Sequence, residues 1–422
     1  ANNKKKGKSI YEITGVETNN NKKNFLYSCV KKGLPPFSSS DKKLNKLAKS
    51  NLSKKINIIE KKDIKKLSGV VLVCINFDGY NKIKDLKKFF TFLSKKIEAN
   101  TKIIIESTLL PGTSEKILYP ILKYQFKKRN LDIEKLTFGY SYERIMPGSN
   151  YLNSITDNYK SISGINRTSI NYILKFYKSF INYKKFPITI FKKITECETA
   201  KIMENSYRAA NISFIDEWNK FSYKNQLNLK KIISSIKLRD THSNIMRPGI
   251  GVGGYCLTKD PSFGLISSQK ILKNKINFPV SNLALKINDQ MPNFCFKFIT
   301  KIIKKNDKIL MIGSAYKSDI SDQRLSPSLN LFKKFKRGNF NITVIDPLVN
   351  KKYFQSIYPK KLKNFNVVIF SVPHSYFKKK IFHNSFNSKI KIFDLDYVLN
   401  EKQLSKLKSK KIKTFSLGDF SE

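Results

Sequence analysis

No stretch of the 422-residue chain comes near 18 uninterrupted apolar residues, so no conventional membrane-spanning helix is expected. The basic opening ANNKKKGKSIYEITGV lacks an apolar core and does not read as a signal peptide. The five cysteines, at 29, 74, 197, 256 and 295, are isolated and odd in number. That argues against a disulfide framework or a zinc knuckle and for free thiols in a reducing, cytoplasmic setting, with no metal site. Short tandem repeats and long disordered linkers are also missing. Acidic residues are scarce, 31 against 81 lysines and arginines, for a formal net charge of +50. The lysines are spread along nearly the whole chain beside many Asn and Ile, with no arginine-rich stripe and no aromatic–basic interleaving. A solvated surface is therefore expected and no specific nucleic-acid partner, although adventitious binding of polyanions is favoured at this charge.

What is present points to a globular chain of two or three domains: 40% hydrophobic residues, with Tyr and Phe abundant. Short apolar runs alternate with helical stretches, as in parallel α/β domains. Strands are expected at 11–17, 56–59, 69–76, 101–108 and in 136–148, with helices at 83–97 and 113–128. From Thr195 to about Lys237 the pattern is helical, and residues 282–305 read as a long helix broken or bent near Pro292. Strands at 308–315, 341–347, 366–373 and 389–396, with a helix at 326–338, make a second α/β unit. The expected fold is α/β, two Rossmann-like doubly wound domains (1–190 and 304–422) flanking a central all-helical domain (191–303).

Four constellations bear chemistry. In PGIGVGGYCLTKDP, 248–261, Cys256 follows Gly249, Gly251, Gly253 and Gly254, with Lys259 and Asp260 within four residues. A nearby cation favours a nucleophilic thiolate, whereas a lone cysteine is more often a buried small hydrophobe. Lys201 and Asn205 stand i,i+4 on one helix face, with Arg208 beyond; they are a solvated stripe or a set of donors for a sugar or an oxyanion. ESTLLPGTSEKI places Thr108 at the end of a strand, then a Pro111-Gly112 turn with Thr113 available as helix cap. YERIMPG similarly ends a strand with Glu143 and Arg144 ahead of a Pro-Gly turn. In SAYKSDISDQRLSP, 314–327, Lys317 and Arg324 precede Ser326-Pro327, an N-cap with proline at the first helical position. They make either a phosphate site or a charged loop.

In order along the chain, ESTLLPGT, YSYERIMPG, ETAKIMENSYRAANISFIDE, PGIGVGGYCLTKDP, LALKINDQMP, GSAYKSDISDQRLSPS and VIDP resemble the UDP-sugar dehydrogenases, from about Tyr11 to about Leu399. The resemblance implies two successive hydride transfers to NAD, taking C6 of a UDP-sugar from alcohol through aldehyde to carboxylate. Cys256 would hold the aldehyde as a thiohemiacetal and then a thioester. Lys201 and Asn205 would stabilise the oxyanion and contact the substrate. Asp260 with Thr108 would assist proton transfer, and Glu143 would act in thioester hydrolysis. It further implies that Lys317 lies near the substrate and Arg324 near the cofactor, with Thr108 and Glu143 bordering the cofactor. Gly249, Gly251, Gly253 and Gly254 would lie against the sugar nucleotide, their missing side chains making room. GVGG and Pro261 favour a UDP-N-acetylhexosamine (GlcNAc or ManNAc), whereas YCLTKD leans toward UDP-glucose. The family's middle domain forms a dimer core, so a homodimer through 280–299 is expected.

The family opens with a strand and a GxGxxG turn, and nothing here matches it. The first strand instead corresponds to the family's second, ending in Glu17 for the adenosine ribose, so the N-terminal domain reads as truncated by one βα unit. NFDG replaces a Pro-Thr-Pro run, and Leu285 stands where the family has arginine. Arg239 and Arg247 are the candidates for an arginine given to a neighbouring subunit's substrate.

Overall fold

The computed structural model describes residues 4–5, 8–9, 11–17, 20–36, 41–145, 148, 150–358, 362–379, 386–387 and 389–421. They group into two compact units, 1–204 with 263–277, and 205–262 with 278–422, the boundary falling inside the long helix Ile194–Lys224. Between Phe191 and Ile309 every described element is helical. No helix among the described residues is long and apolar enough to cross a membrane.

The first unit contains a short antiparallel pair, β1 (Lys4–Lys5) with β2 (Lys8–Ser9), and a parallel pair, β3 (Ile13–Glu17) with β4 (Ile56–Glu60). Its main sheet runs β5 (Val70–Val73), β6 (Lys102–Ile105), β7 (Thr137–Tyr140), β8 (Ser161–Gly164) and β9 (Thr189–Phe191), in that order, with β7 and β8 antiparallel. Alternation along β6 divides the core. Ile103 and Ile105 join Leu86, Phe90 and Leu93 of helix Ile83–Lys96, whose apolar positions recur at helical spacing, while Ile104 joins Ile173, Phe176 and Tyr177 of helix Arg167–Lys178. Gly139 and Gly164 face each other across the antiparallel pair; a Cβ on Gly139 would stand 2.3 Å from the Ser163 carbonyl.

Strands β3 and β5 each have only one hydrogen-bonded neighbour, and both leave apolar side chains exposed: Ile13 and Val16 on β3, Leu72 on β5. Parallel strands are normally covered on both faces, so each of these edge strands has a partly uncovered face among the described residues.

The second unit holds a fully parallel sheet in the order β11 (Ile342–Ile345), β10 (Ile309–Ile312), β12 (Val367–Phe370), β13 (Lys391–Asp394), β14 (Lys413–Ser416). Numbered from β10, this is the 2-1-3-4-5 winding, whose ligand crevice lies where the order reverses, beyond the carboxyl ends of β10 and β12. Leu310, Ile312, Val368 and Phe370 face one core; Ile309, Met311, Val367 and Ile369 face the other. Helix Pro327–Arg337 starts as its sequence predicts, with the Ser326 hydroxyl accepting from the Leu329 amide.

Two local expectations are corrected. Of a break or a bend at Pro292, the break is excluded, because helix Pro279–Thr300 runs continuously through the proline. Thr113 caps nothing: its hydroxyl is buried without a partner, and the helix start is held from a distance, as described below.

Candidate active site

Thr108, Glu143 and Lys201 lie in the first unit; Asn205, Cys256, Asp260, Lys317, Arg324 and the four loop glycines lie in the second. Each group is described in its own unit.

In the first unit, the strand ends carry the polar groups. Ser107 is consumed structurally, its hydroxyl accepting from the Ile75 amide and donating to the Ile75 carbonyl, which ties the tips of β5 and β6 together. Thr108, next along, is partly exposed. Glu143 is pinned at both oxygens: Oε1 accepts the Arg144 amide at 2.6 Å, and Oε2 accepts from the Lys160 ammonium at 2.6 Å. Lys160 also reaches Glu106 at 3.3 Å, and Glu106 accepts the Tyr177 hydroxyl at 2.5 Å. The buried Lys160 thus neutralises two carboxylates, a role its position at the head of KSISG does not advertise. Lys201, also buried, donates to the Glu143 carbonyl at 3.0 Å, so backbone and side chain of Glu143 are held by different lysines.

The Pro111–Gly112 turn is secured by a residue the sequence did not single out. Glu198, wholly buried, accepts from the Gly112 amide at 2.6 Å, the Ser114 amide at 3.0 Å and the Ser114 hydroxyl at 2.7 Å. Burial pushes its carboxyl up to about 8, against the pull of the bonds from Ser114 and Gly112. The Pro-Gly turn after Glu143 begins at Pro147, which lies outside the described residues.

In the second unit, Asp260 is fully buried between Asn205, which donates to Oδ2 at 2.6 Å, and Lys259, which donates to Oδ1 at 2.6 Å. The cation expected beside the thiol is therefore neutralised by Asp260, and it also lies over the Tyr255 ring at 4.7 Å. The Cys256 carbonyl accepts the amides of Lys259 and Asp260, winding residues 256–260 into a tight turn that places the exposed cysteine four residues before the buried carboxylate.

The glycines do not make room as expected. A Cβ on Gly253 would stand 2.5 Å from the Leu325 carbonyl, and one on Gly254 would stand 2.6 Å from the Tyr316 ring. Gly251 packs on Asn288, whose side chain accepts the Val252 amide at 2.6 Å and donates to the Val252 carbonyl at 3.0 Å; only Gly249 has open space. These glycines admit protein, letting the cysteine loop press onto the loop 314–325.

Lys317 is half-buried, and its ammonium is pulled down in pKa by burial and then by Arg208. Arg324 is turned onto Asp322, its Nε and Nη2 at 2.9 and 2.6 Å from Oδ2, bonds that raise its own pKa. Arg247 lies 3.7 Å from Asp396 and over the Tyr397 ring at 4.6 Å, and burial raises the Asp396 carboxyl to about 7. Arg239 makes no described side-chain bond among these groups; it precedes the turn Asp240–His242.

Two family models match, the central domain of the UDP-glucose/GDP-mannose dehydrogenase family over residues 195–290 and its UDP binding domain over 310–401. The chain is 30% identical over 365 residues to the UDP-N-acetyl-D-mannosamine dehydrogenase of Methanocaldococcus jannaschii, covering 82% of this chain and 77% of that protein. The chain belongs to this dehydrogenase family.

A relative of the same name from Methanococcus aeolicus is 32% identical over 283 residues, 65% of this chain, and the match spans 60% of that relative's length. Among solved structures, the UDP-D-ManNAc dehydrogenase of Pyrococcus horikoshii superposes with a TM-score of 0.78 at 22% identity, over 98% of this chain and 95% of that one. The UDP-N-acetyl-mannosamine dehydrogenase of Staphylococcus aureus gives 0.79 at 21%, over 97% and 93%. At these identities the likeness concerns the fold.

For a dinucleotide, the two-stranded β3–β4 sheet ends in Glu17 beside Glu60, where ribose hydroxyls would find a carboxylate, and the five-stranded sheet is separate from it. The ends of β6 and β7 bring Glu106, Thr108 and Glu143. No glycine-rich turn between strand and helix is present among the described residues to receive a pyrophosphate. The residues fit the two ends of NAD and not its middle.

Proposed function

We propose that this chain carries the catalytic body of an NAD-dependent UDP-sugar 6-dehydrogenase acting on a UDP-N-acetylhexosamine, with UDP-N-acetylmannosamine favoured by the named relatives. The observation that carries the reading is the Asn205–Asp260 pair, buried and hydrogen-bonded, on the turn that presents the exposed Cys256. A buried carboxylate four residues from an exposed thiol is the pairing that covalent catalysis at a thiol calls for.

NAD, when bound, accepts the hydride in each oxidation. The chain's residues do the rest. The Cys256 sulfur adds to the C6 aldehyde, making a tetrahedral thiohemiacetal from which hydride can leave. Loss of that hydride gives a thioester; water adds, the C–S bond breaks, and the carboxylate departs with the thiol restored. Lys201 and Asn205 offer N–H donors to the oxygen that becomes negative, and Asp260 takes and returns its proton. Glu143, ion-paired with Lys160, orients the hydrolytic water. In the second sheet the crevice beyond β10 and β12, with Lys317 on its loop, would take the UDP moiety.

The division into domains 1–190, 191–303 and 304–422 belongs to the same proposal, as does a cytoplasmic setting. A second reading is a sugar-nucleotide-binding chain that oxidises nothing, favoured by the two family models, which match the central and UDP binding domains. NADH formation with UDP-N-acetylmannosamine separates the two. UDP affinity without any NADH, in a preparation shown to bind NAD, would leave only the second.

We also propose a homodimer. The apolar positions expected to form its core on helix Pro279–Thr300 are mostly buried within the chain (Ile287, Met291, Cys295, Phe298), leaving Val280 and Leu283 exposed. The larger apolar face is on helix Ile194–Lys224, where Tyr207, Phe214, Trp218 and Phe221 are all exposed and the last three stack edge to face. A monomer rarely leaves so many rings in water along one helix face. Trp218→Glu is expected to convert dimer to monomer in sedimentation equilibrium; an unchanged mass would remove this face from the interface.

A further inference from the structure

The loop 314–325 carries Lys317 and Arg324, yet much of its backbone is anchored by groups that no chemistry so far has used. At one end, the wholly buried Asp346, just past β11, accepts the amides of Ser314 at 2.8 Å and Ala315 at 3.2 Å. It also accepts from His374 Nε2 at 3.1 Å. In mid-loop, the Asp319 amide donates to His374 Nδ1 at 3.0 Å, so the ring proton sits on Nε2 and points at Asp346. The Asp319 carboxylate in turn accepts the Ser375 amide at 2.8 Å and the Ser375 hydroxyl at 3.0 Å. Burial would raise the Asp346 carboxyl, but His374 and the backbone amides hold it at about 2.

At the loop's far end the Arg324 carbonyl accepts the Gly254 amide at 3.1 Å, and Tyr316 lies against Gly254 itself. Two non-glycine residues of the loop, Asp319 (φ 59°) and Leu325 (φ 51°), are held left-handed. Each such residue is strained and persists only where its surroundings over-determine it. One strained residue sits at the histidine contact and the other at the glycine contact.

We propose that the loop 314–325 is a spacer that registers the Cys256 turn against the nucleotide-binding sheet, with His374 and Asp319 as its positioning residues. The line runs Asp346, His374, Asp319, loop, Arg324 carbonyl, Gly254, Cys256. It holds Arg324, which interacts electrostatically with Cys256 and lies 6.0 Å over the Tyr255 ring, against the turn that carries the thiol. This rests on the reading of Cys256 as the nucleophile and of the second sheet as the UDP site.

The test is the rate of iodoacetamide labelling at Cys256, followed by peptide mass spectrometry on the whole chain. Cys74, in the other unit and bonded to Glu106, should stay nearly unlabelled and so reports any global opening. Asp319→Ala frees the loop at a side chain 35% exposed, without excavating the core, while His374→Gln breaks the buried end. Both are expected to slow Cys256 labelling about fivefold by withdrawing the guanidinium from the thiolate, with Cys74 unchanged. Asp319→Asn, which keeps an acceptor and tolerates left-handed backbone, is expected to restore most of the rate. Folded Asp319→Ala that labels Cys256 at the wild-type rate overturns the proposal, as does an equal loss in Asp319→Asn. A separate arm adds UDP. If UDP neither binds by calorimetry nor alters wild-type labelling, the UDP-sugar reading fails, while the ligand-free difference between variants still decides the role of the loop.

Discussion

Cys256→Ala is expected to reduce NADH formation from the UDP-sugar by about 10³-fold or more, the scale on which loss of a covalent nucleophile acts. UDP affinity should stay within about threefold, because the thiol contributes little to ground-state binding. No other cysteine can substitute. Cys29, Cys197 and Cys295 are buried, and Cys74 is bonded to Glu106 in the first unit, with its thiol pushed up to about 12 chiefly by burial. The decisive measurement is steady-state turnover beside UDP calorimetry on the same preparation. Turnover retained above about one per cent would place the aldehyde oxidation elsewhere. A serine at this position would make a poorer nucleophile and an ester that hydrolyses more slowly, so it should resemble alanine more than cysteine.

The second large effect concerns stability. Glu198→Ala should cost about 3 kcal/mol or more, because it strips two buried backbone N–H groups at Gly112 and Ser114 of their acceptor and opens a cavity beneath the turn. Glu198→Gln keeps one acceptor oxygen and should cost less at low pH. The pH dependence distinguishes charge from shape. The folded carboxyl titrates near 8 and an ordinary glutamate near 4.5, so folding holds this proton more tightly than the unfolded chain does. Its contribution is full below about 4.5 and is lost as pH rises through about 8. Glutamine cannot ionise, so wild type should lose stability relative to Glu198→Gln between about pH 5 and 8. Urea unfolding of both proteins across that range reads the difference, and parallel curves would mean that Glu198 stays charged throughout. Asp396, raised to about 7, titrates in the same window but is common to both proteins and cancels.

What the sequence determined by itself was the local layer. Parallel strands buried on both faces must be largely continuous apolar runs, so β6, β10 and β12 were legible as KIII, ILMI and VVIF, and Ser326-Pro327 announced its helix start. The order of motifs named the dehydrogenase family and put Asn205, Cys256 and Asp260 in one set, two of which the structure hydrogen-bonds directly. The glycines of PGIGVGG were visible, but not what they face.

Only the tertiary structure decided the partners. Glu198 secures a turn 84 residues away, Lys160 joins carboxylates 54 and 17 residues distant, and Asp346 meets His374 across 28. Such pairs have no sequence period, because they depend on where strands and helices end in space and on how loops cross. The same is true of the division of the first unit's strands into three sheets. Hydrophobic pattern says that β3 and β5 are strands, whereas which edge bonds to which neighbour is settled by pairing between segments. Local chemistry thus marked the thiol, and long-range hydrogen bonding determined what holds it in place.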